Sequence, residues 1–306
     1  MAIRSITKNV WPDYNNNESV SSYLEKVSKI LNEQFGIIPD IVQKVNPKDF
    51  RFPLFRVRDL ANFSDMDLLS WHSYPPVNVS KLNRCNFPGY PVFYCANNPM
   101  TALLEVVRMG NYSKKKFCLT TWKIRQGEED FLVQPYLFGD LDTRNPFSVI
   151  KDSISNRLNE SFNNSLSTDQ EEGLRLYLRF MADTFLNDEN FSQSSFFAHR
   201  RLYAPHELPT DILIYPSVQT QHKGINMAIH PNFVDTMLLP QRFYIIEIDH
   251  ITENFENMRT RISMYGILQQ RQIKWNQVMP NDKLYEKIIQ EDFGQFGEMN
   301  FVKNAT

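Results

Sequence analysis

Val-Phe-Tyr-Cys-Ala-Asn-Asn-Pro-Met-Thr-Ala-Leu-Leu-Glu-Val-Val, residues 92–107, reads as a strand that stops and restarts as a helix. Val92 to Ala96 is a short apolar run of the kind that forms a buried strand. Asn98 is an N-cap residue and Pro99 suits the first helical position, where its missing N–H costs nothing. The helix is predicted to end near Gly110. Within it Met100, Ala102, Leu103, Leu104, Val106, Val107 and Met109 leave almost no polar face, so it is expected to be buried.

On the N-terminal side, Leu54 to Arg58 alternates as a strand, and a loop-rich stretch follows to Pro91. Residues 18 to 35 place Val20, Tyr23, Leu24, Val27, Ile30, Leu31 and Phe35 at helical spacing, with Gly36 after them. On the C-terminal side, Phe117 to Ile124 and Phe131 to Gln134 read as strands, with Phe117 and Trp122 on opposite faces. Helices are predicted from Pro146 to Asn159 and Glu171 to Phe185, split by a polar loop from Glu160 to Gln170. Asp211 to Val218, Ile225 to Ile229 and Phe243 to Ile248 are short strands, and Asp282 to Gln290 a closing helix. Strands at both ends of a helical middle indicate an α+β fold with mixed or antiparallel strands and surrounding helices. The expected organisation is an N-terminal helical extension over 1–45, a catalytic domain over 46–250, and a strand and helix extension over 251–306 packed on the core.

The 306 residues suffice for one large domain with appendages. Lys+Arg 33 against Asp+Glu 35 gives a net charge of -2, without the positive excess that direct nucleic-acid contact uses. No apolar run approaches the roughly 18 residues of a membrane span, and the opening MAIRSITKNV lacks the apolar stretch of an export signal. A cytoplasmic protein with no membrane partner is expected. Cys85, Cys95 and Cys118 are an odd set without C-x-x-C spacing, and His206-Glu207 lacks the second histidine of a zinc-protease helix. No metal site is expected.

Chemistry concentrates in a few polar residues set among apolar ones. Glu105 shares a helix face with Ala102, Val106 and Met109, where an unpaired carboxylate costs several kcal/mol. It either pairs with an arginine such as Arg108, or lines a cleft and binds a sugar hydroxyl or a developing positive charge. Arg56, on the same strand face as Leu54 and Arg58, needs an anionic partner, either a structural carboxylate or a ligand pyrophosphate held by the guanidinium fork. Arg84 lies in the turn-rich loop Asn83 to Gly89, ahead of the strand holding Tyr94. Ser217 ends a strand without the Gly-x-Ser-x-Gly context of a hydrolase nucleophile, so a hydrogen-bonding role or a plain turn serine fits it.

Leu-Phe-Arg at 54–56, Asn-Arg-Cys-Asn-Phe-Pro-Gly at 83–89, Val-Phe-Tyr at 92–94, then Ala102 and Glu105, follow in an order that resembles the RES domain. Tyr-Pro-Ser-Val at 215–218 and Gly-Ile-Asn-Met-Ala at 224–228 extend the resemblance, which covers about residues 50 to 250. The family is named for an Arg, a Glu and a Ser. These map onto Arg56 or Arg84, Glu105 and Ser217, with Tyr94 and Asn226 as supporting matches. Asn83 departs from the glycine of many members, Val57 from a larger residue, and the Glu105 to Ser217 connection is longer than in compact members.

The resemblance implies a core similar to ADP-ribosyltransferase toxins, a bacterial toxin role within a toxin–antitoxin system, and NAD+ as a consumed substrate with no metal. NAD+ would be cleaved at the nicotinamide–ribose bond with water or inorganic phosphate as acceptor. The alternatives are mono-ADP-ribosylation of a protein and a non-catalytic nucleotide-binding protein of the RES fold. Glu105 would bind the ribose hydroxyls and stabilise the cation, while Arg56 and Arg84 clamp the pyrophosphate. Tyr94 would stack on or orient the nicotinamide, and Ser217 with Asn226 would donate hydrogen bonds to the carboxamide or ribose. A cognate antitoxin with a DNA-binding domain is the implied protein partner.

Overall fold

The computed structural model describes residues 11–35, 41–107, 112–113, 115–139, 141–162, 166–203, 209–252, 258–296 and 299–301. Gly36, Arg108, Met109, Gly110 and the His206-Glu207 pair lie outside these residues. In chain order the elements are α1 (Val20–Phe35), β1 (Gln43–Val45), β2 (Leu54–Asp59), β3 (Phe93–Ala96), α2 (Pro99–Val107), β4 (Lys116–Ile124), β5 (Phe131–Pro135), α3 (Ser148–Phe162), α4 (Thr168–Asn187) and α5 (Ser192–Leu202). They continue with β6 (Ile212–Pro216), β7 (Ile225–Ile229), α6 (Pro231–Met237), β8 (Leu238–Ile251), β9 (Met258–Gln269), β10 (Gln272–Gln277), α7 (Lys283–Phe293) and β11 (Met299–Phe301).

All eleven strands join one mixed sheet in the order β1-β5-β6-β7-β3-β2-β4-β8-β9-β10, with β11 on β9. The β5–β6 and β9–β11 pairs are parallel and the others antiparallel. The fold is therefore mixed helix and sheet, as the sequence predicts. Not all of its strands are short: β8 runs for 14 residues and β9 for 12, because β8 pairs with β4 on one edge and β9 on the other. The expected boundary at residue 250 falls inside β8. The predicted loop from Glu160 to Gln170 is also shorter than expected. Ser167 accepts from the Gln170 N–H while Gln170 reaches back to the Ser167 N–H, a capping box that starts α4 at Thr168.

One sheet face carries two core clusters side by side. Helices α1, α4 and α5 pack on Leu213, Tyr215 and Ala228, and α2 and α7 on Phe55, Val57 and Ala96. The other face buries Leu54, Phe93, Cys95, Ile214 and Met227 beneath Phe147 and the α6 residues Phe233 and Val234. Strands β6 and β7 are buried along their whole length, which explains why they read as continuous apolar runs rather than alternating ones. Helix α7 is fastened to β8 by Asp292, which accepts from the Tyr244 hydroxyl and pairs with Arg242. Asn98 caps α2 as predicted, accepting from the N–H of Met100 at 2.7 Å and of Thr101 at 3.3 Å.

The position of α2 depends on a close approach at Gly224, where β7 begins. A Cβ there would sit 2.1 Å from Thr101 Oγ1 and 2.8 Å from its Cγ2. Gly224→Ala is therefore expected to cost about 1–3 kcal/mol by overpacking, and Thr101→Ala in the same chain should recover most of it. Thermal melts of the single and double variants check this; equal melting of Gly224→Ala and wild type would refute the contact.

Two buried histidines make the fold acid-sensitive. Desolvation pushes His72 and His199 down to about 4. Folded, both stay neutral between pH 6.5 and 4, whereas the unfolded chain takes up protons there, so stability is present above about pH 6.5 and lost as pH falls toward 4. The loss is on the order of 3 kcal/mol for each. Urea titrations across this range should show the decline, and it should shrink in His199→Phe.

Candidate active site

Strands β2 and β3 pair at a single position, Phe55 opposite Ala96. Beyond it β2 continues along β4 as far as Asp59, and β3 continues along β7 as far as Phe93, so the sheet opens between them. A cavity of about 180 Å³ occupies the opening. It is lined by Arg56 from β2, Tyr94 from β3, Arg84 from the preceding loop, Glu105 from α2, Tyr215 from β6 and Asn226 from β7. Arg56, Arg84 and Glu105, distant in sequence, thus share one cavity.

Arg56 is 8% exposed. Its Nη1 donates to the Tyr94 carbonyl at 2.7 Å, the guanidinium stands 4.9 Å from the Phe93 ring centre, and Nε has no hydrogen-bond partner. In an antiparallel strand alternate residues turn their N–H and C=O to the same neighbour, so the Tyr94 carbonyl, like those of Ala96, faces β2. Arg56 occupies the gap and satisfies that carbonyl. Among the described residues no carboxylate pairs with it. Burial, with Arg58 nearby, pushes its pKa down to about 9, so the guanidinium is charged at neutral pH in surroundings that disfavour the charge.

Arg84 sits at the tip of a two-residue turn. Asn83 and Asn86 exchange both backbone hydrogen bonds, at 2.9 and 3.1 Å, leaving Arg84 and Cys85 between them. The Arg84 guanidinium donates to the Phe185 carbonyl of α4 and lies 5.2 Å from the Phe191 ring centre. Phe191 adopts φ 59°, a left-handed conformation rare for an aromatic residue, immediately before α5. Neither Phe191 nor Phe93 was identifiable as a guanidinium partner from spacing, since both contacts depend on tertiary folding.

Glu105 is half-buried, and its Oε1 accepts from Ser217 Oγ at 2.7 Å and Asn226 Nδ2 at 2.6 Å. The predicted Glu, Ser and Asn therefore meet, but in an arrangement unlike the expected one. Ser217 is 0% exposed and is not among the residues that line the cavity. Its hydroxyl proton is directed at Glu105, so Ser217 helps to fix the carboxylate. Asn226, 7% exposed, does line the cavity but commits a side-chain N–H to the same oxygen.

Tyr94 lines the cavity as well. Its hydroxyl donates to Asn86 Oδ1 at 2.7 Å and accepts from the Cys85 N–H at 2.9 Å, so only the rest of the residue faces the cavity. Burial raises its pKa well above the usual tyrosine value, as it does for Tyr215. Tyr215 was missed in the sequence because its place opposite Asn226 follows only from the β6–β7 register. Cys85, Cys95 and Cys118 are buried and free, and desolvation raises all three thiols, Cys85 to about 12, so none offers a thiolate at neutral pH. Among the described residues no group of three or more His, Cys, Asp or Glu could hold a metal ion. No described helix is long and apolar enough to cross a membrane.

The cavity is smaller than the roughly 300–1,000 Å³ of common small-molecule sites. A space of that size is too small to enclose a whole dinucleotide. No curated protein matches the sequence. A family model described as RES domain matches residues 53–136, a span that includes Arg56, Arg84, Tyr94 and Glu105 and ends before Ser217 and Asn226. Over residues 53–136 the chain is therefore similar to the RES domain, in agreement with the resemblance read from the residues themselves.

Proposed function

We propose that this chain consumes NAD+ by cleaving the nicotinamide–ribose bond, with water or inorganic phosphate as acceptor. The observation that carries the reading is the buried Arg56 guanidinium, without a carboxylate partner among the described residues, facing the same cavity as the Glu105 carboxylate, which accepts from Ser217 and Asn226. A guanidinium in that state favours an anionic ligand, and a fixed carboxylate favours a group that becomes positive during reaction. A dinucleotide supplies both, through its pyrophosphate and its ribose.

In the proposed reaction the C1′–N bond breaks and its electron pair passes to the pyridinium nitrogen, so nicotinamide leaves neutral and needs no general acid. The ribose becomes oxocarbenium-like, a charge development shared with glycoside hydrolysis, and Glu105 stabilises it. An acceptor oxygen then bonds to C1′. Water gives ADP-ribose and a proton released to solvent, while phosphate gives a 1-phosphate ester of ADP-ribose. Arg56 and Arg84 hold the pyrophosphate, and Ser217 and Asn226 keep Glu105 oriented. The family resemblance adds an ADP-ribosyltransferase-like core, a toxin role and a cognate antitoxin to the proposal.

The test is an NMR time course of NAD+ with the purified protein, with and without inorganic phosphate. Nicotinamide should appear, and the identity of the second product reports the acceptor. Glu105→Gln should slow turnover by about a hundredfold or more while melting like wild type. An unimpaired Glu105→Gln enzyme would refute its role. Radiolabel from NAD+ retained on a protein would favour the transferase, and tight binding without any product the non-catalytic alternative.

A further inference from the structure

Tyr94 meets Arg56 directly and the Arg84 turn through the two residues that follow Arg84. Its main-chain carbonyl accepts from Arg56, while its hydroxyl accepts from the Cys85 N–H and donates to Asn86 Oδ1, the two residues directly after Arg84. Asn86 is itself locked, since its Nδ2 donates to Ser80 Oγ at 3.1 Å, the Lys81 carbonyl at 2.7 Å and the Phe87 carbonyl at 3.1 Å. The Arg84 turn is thereby fixed from one side by Tyr94 and from the other by the Phe185 carbonyl and the Asn83 side chain. With both hydroxyl functions used inside the protein, the Tyr94 oxygen is poorly placed to serve a ligand.

We infer that Tyr94 is a positioning residue whose hydroxyl holds the Arg84 turn in the conformation that binds a pyrophosphate, and that it does not itself bind the nicotinamide. The inference deepens the NAD+ reading and rests on it. It also separates the two arms chemically. Replacing the side chain removes the tether on Arg84 but leaves the main-chain acceptor of Arg56 in place. A loop that must find its bound geometry on each encounter loses affinity in proportion to the fraction of time it is misplaced, without any change in the contacts it finally makes.

Calorimetric titration of ADP-ribose and of nicotinamide tests this in four proteins: wild type, Tyr94→Phe, Arg84→Ala and the double variant. Tyr94→Phe should weaken ADP-ribose about tenfold and leave nicotinamide unchanged. In the Arg84→Ala background the same substitution should change ADP-ribose affinity less than about twofold, because a tether without its arginine has nothing to position. Amide hydrogen exchange at Cys85 should quicken in Tyr94→Phe, a readout that needs no ligand. Losses that multiply in the double variant, weakened nicotinamide binding, or unchanged ADP-ribose affinity in Tyr94→Phe would overturn the positioning role. Failure of the wild type to bind ADP-ribose would instead overturn the NAD+ reading, and with it the purpose given to the tether, while Cys85 exchange would still report whether the tether exists.

Discussion

Past the Phe55–Ala96 pair two neighbouring strands of one sheet part, and a sheet that opens in its interior leaves backbone groups facing nothing. The opening lies between two apolar clusters and beneath α2. Arg56 solves part of the problem by donating to the Tyr94 carbonyl. The solution is costly: it buries a cation with a dipole and an aromatic face as its companions instead of a carboxylate. A structural role alone would be met more cheaply by closing the ladder. The sheet is held open at a site where closing it would remove the cavity, which is how strain and unpaired charge gather at functional positions.

Opposite Arg56, the carboxylate side of the cavity is built from groups that do no more than aim Glu105. Helix α2 is anchored at its start by the Asn98 cap and pressed against β7 where Gly224 allows Thr101 to approach, one helical turn before Glu105. Ser217, directly after β6, and Asn226, within β7, then donate to the same carboxylate oxygen. Gly224 takes part twice, since its carbonyl accepts the Ser217 N–H at 2.9 Å. One short excursion, residues 217–224, therefore sets the helix and the donors together, and the position of the acid is over-determined.

How much of this was legible follows from the range of the forces involved. The strand, cap and helix over 92–107 are fixed by local chemistry, so Asn98 and Pro99 announced them. Arg56 and Glu105 stood out because charge in an apolar run demands an explanation wherever the chain later goes. The roles of Ser217 and Tyr94 were not readable, because a hydroxyl is equally suited to a ligand and to a neighbour, and only register and burial decide between them. Helix α5 escaped for a related reason. Its first turn is Ser-Gln-Ser-Ser, which reads as loop, and it is held by Ser194 donating to Asp188 and by aromatic residues buried from Phe196 onward. Strand β9 is visible only as the partner of β8, whose length was itself set by that pairing, and β10 only as the partner of β9.

The small size of the cavity gives the arrangement its direction. A dinucleotide does not fit whole into a space of about 180 Å³, so on the proposed function the enclosed end would hold the bond that breaks, sheltered from water, and the remainder would lie toward the mouth. Glu105 and Asn226, fixed from behind by buried groups, suit the enclosed end. Arg84, half-buried on the turn between Asn83 and Asn86, would then serve the open one. Arg56 lies in the split itself and can meet the ligand where it passes from one region to the other. On the proposed reading Glu105 then attends the reacting bond, and the Arg84 turn, tied to Tyr94, to the Asn83 side chain and to the Phe185 carbonyl, attends the diphosphate.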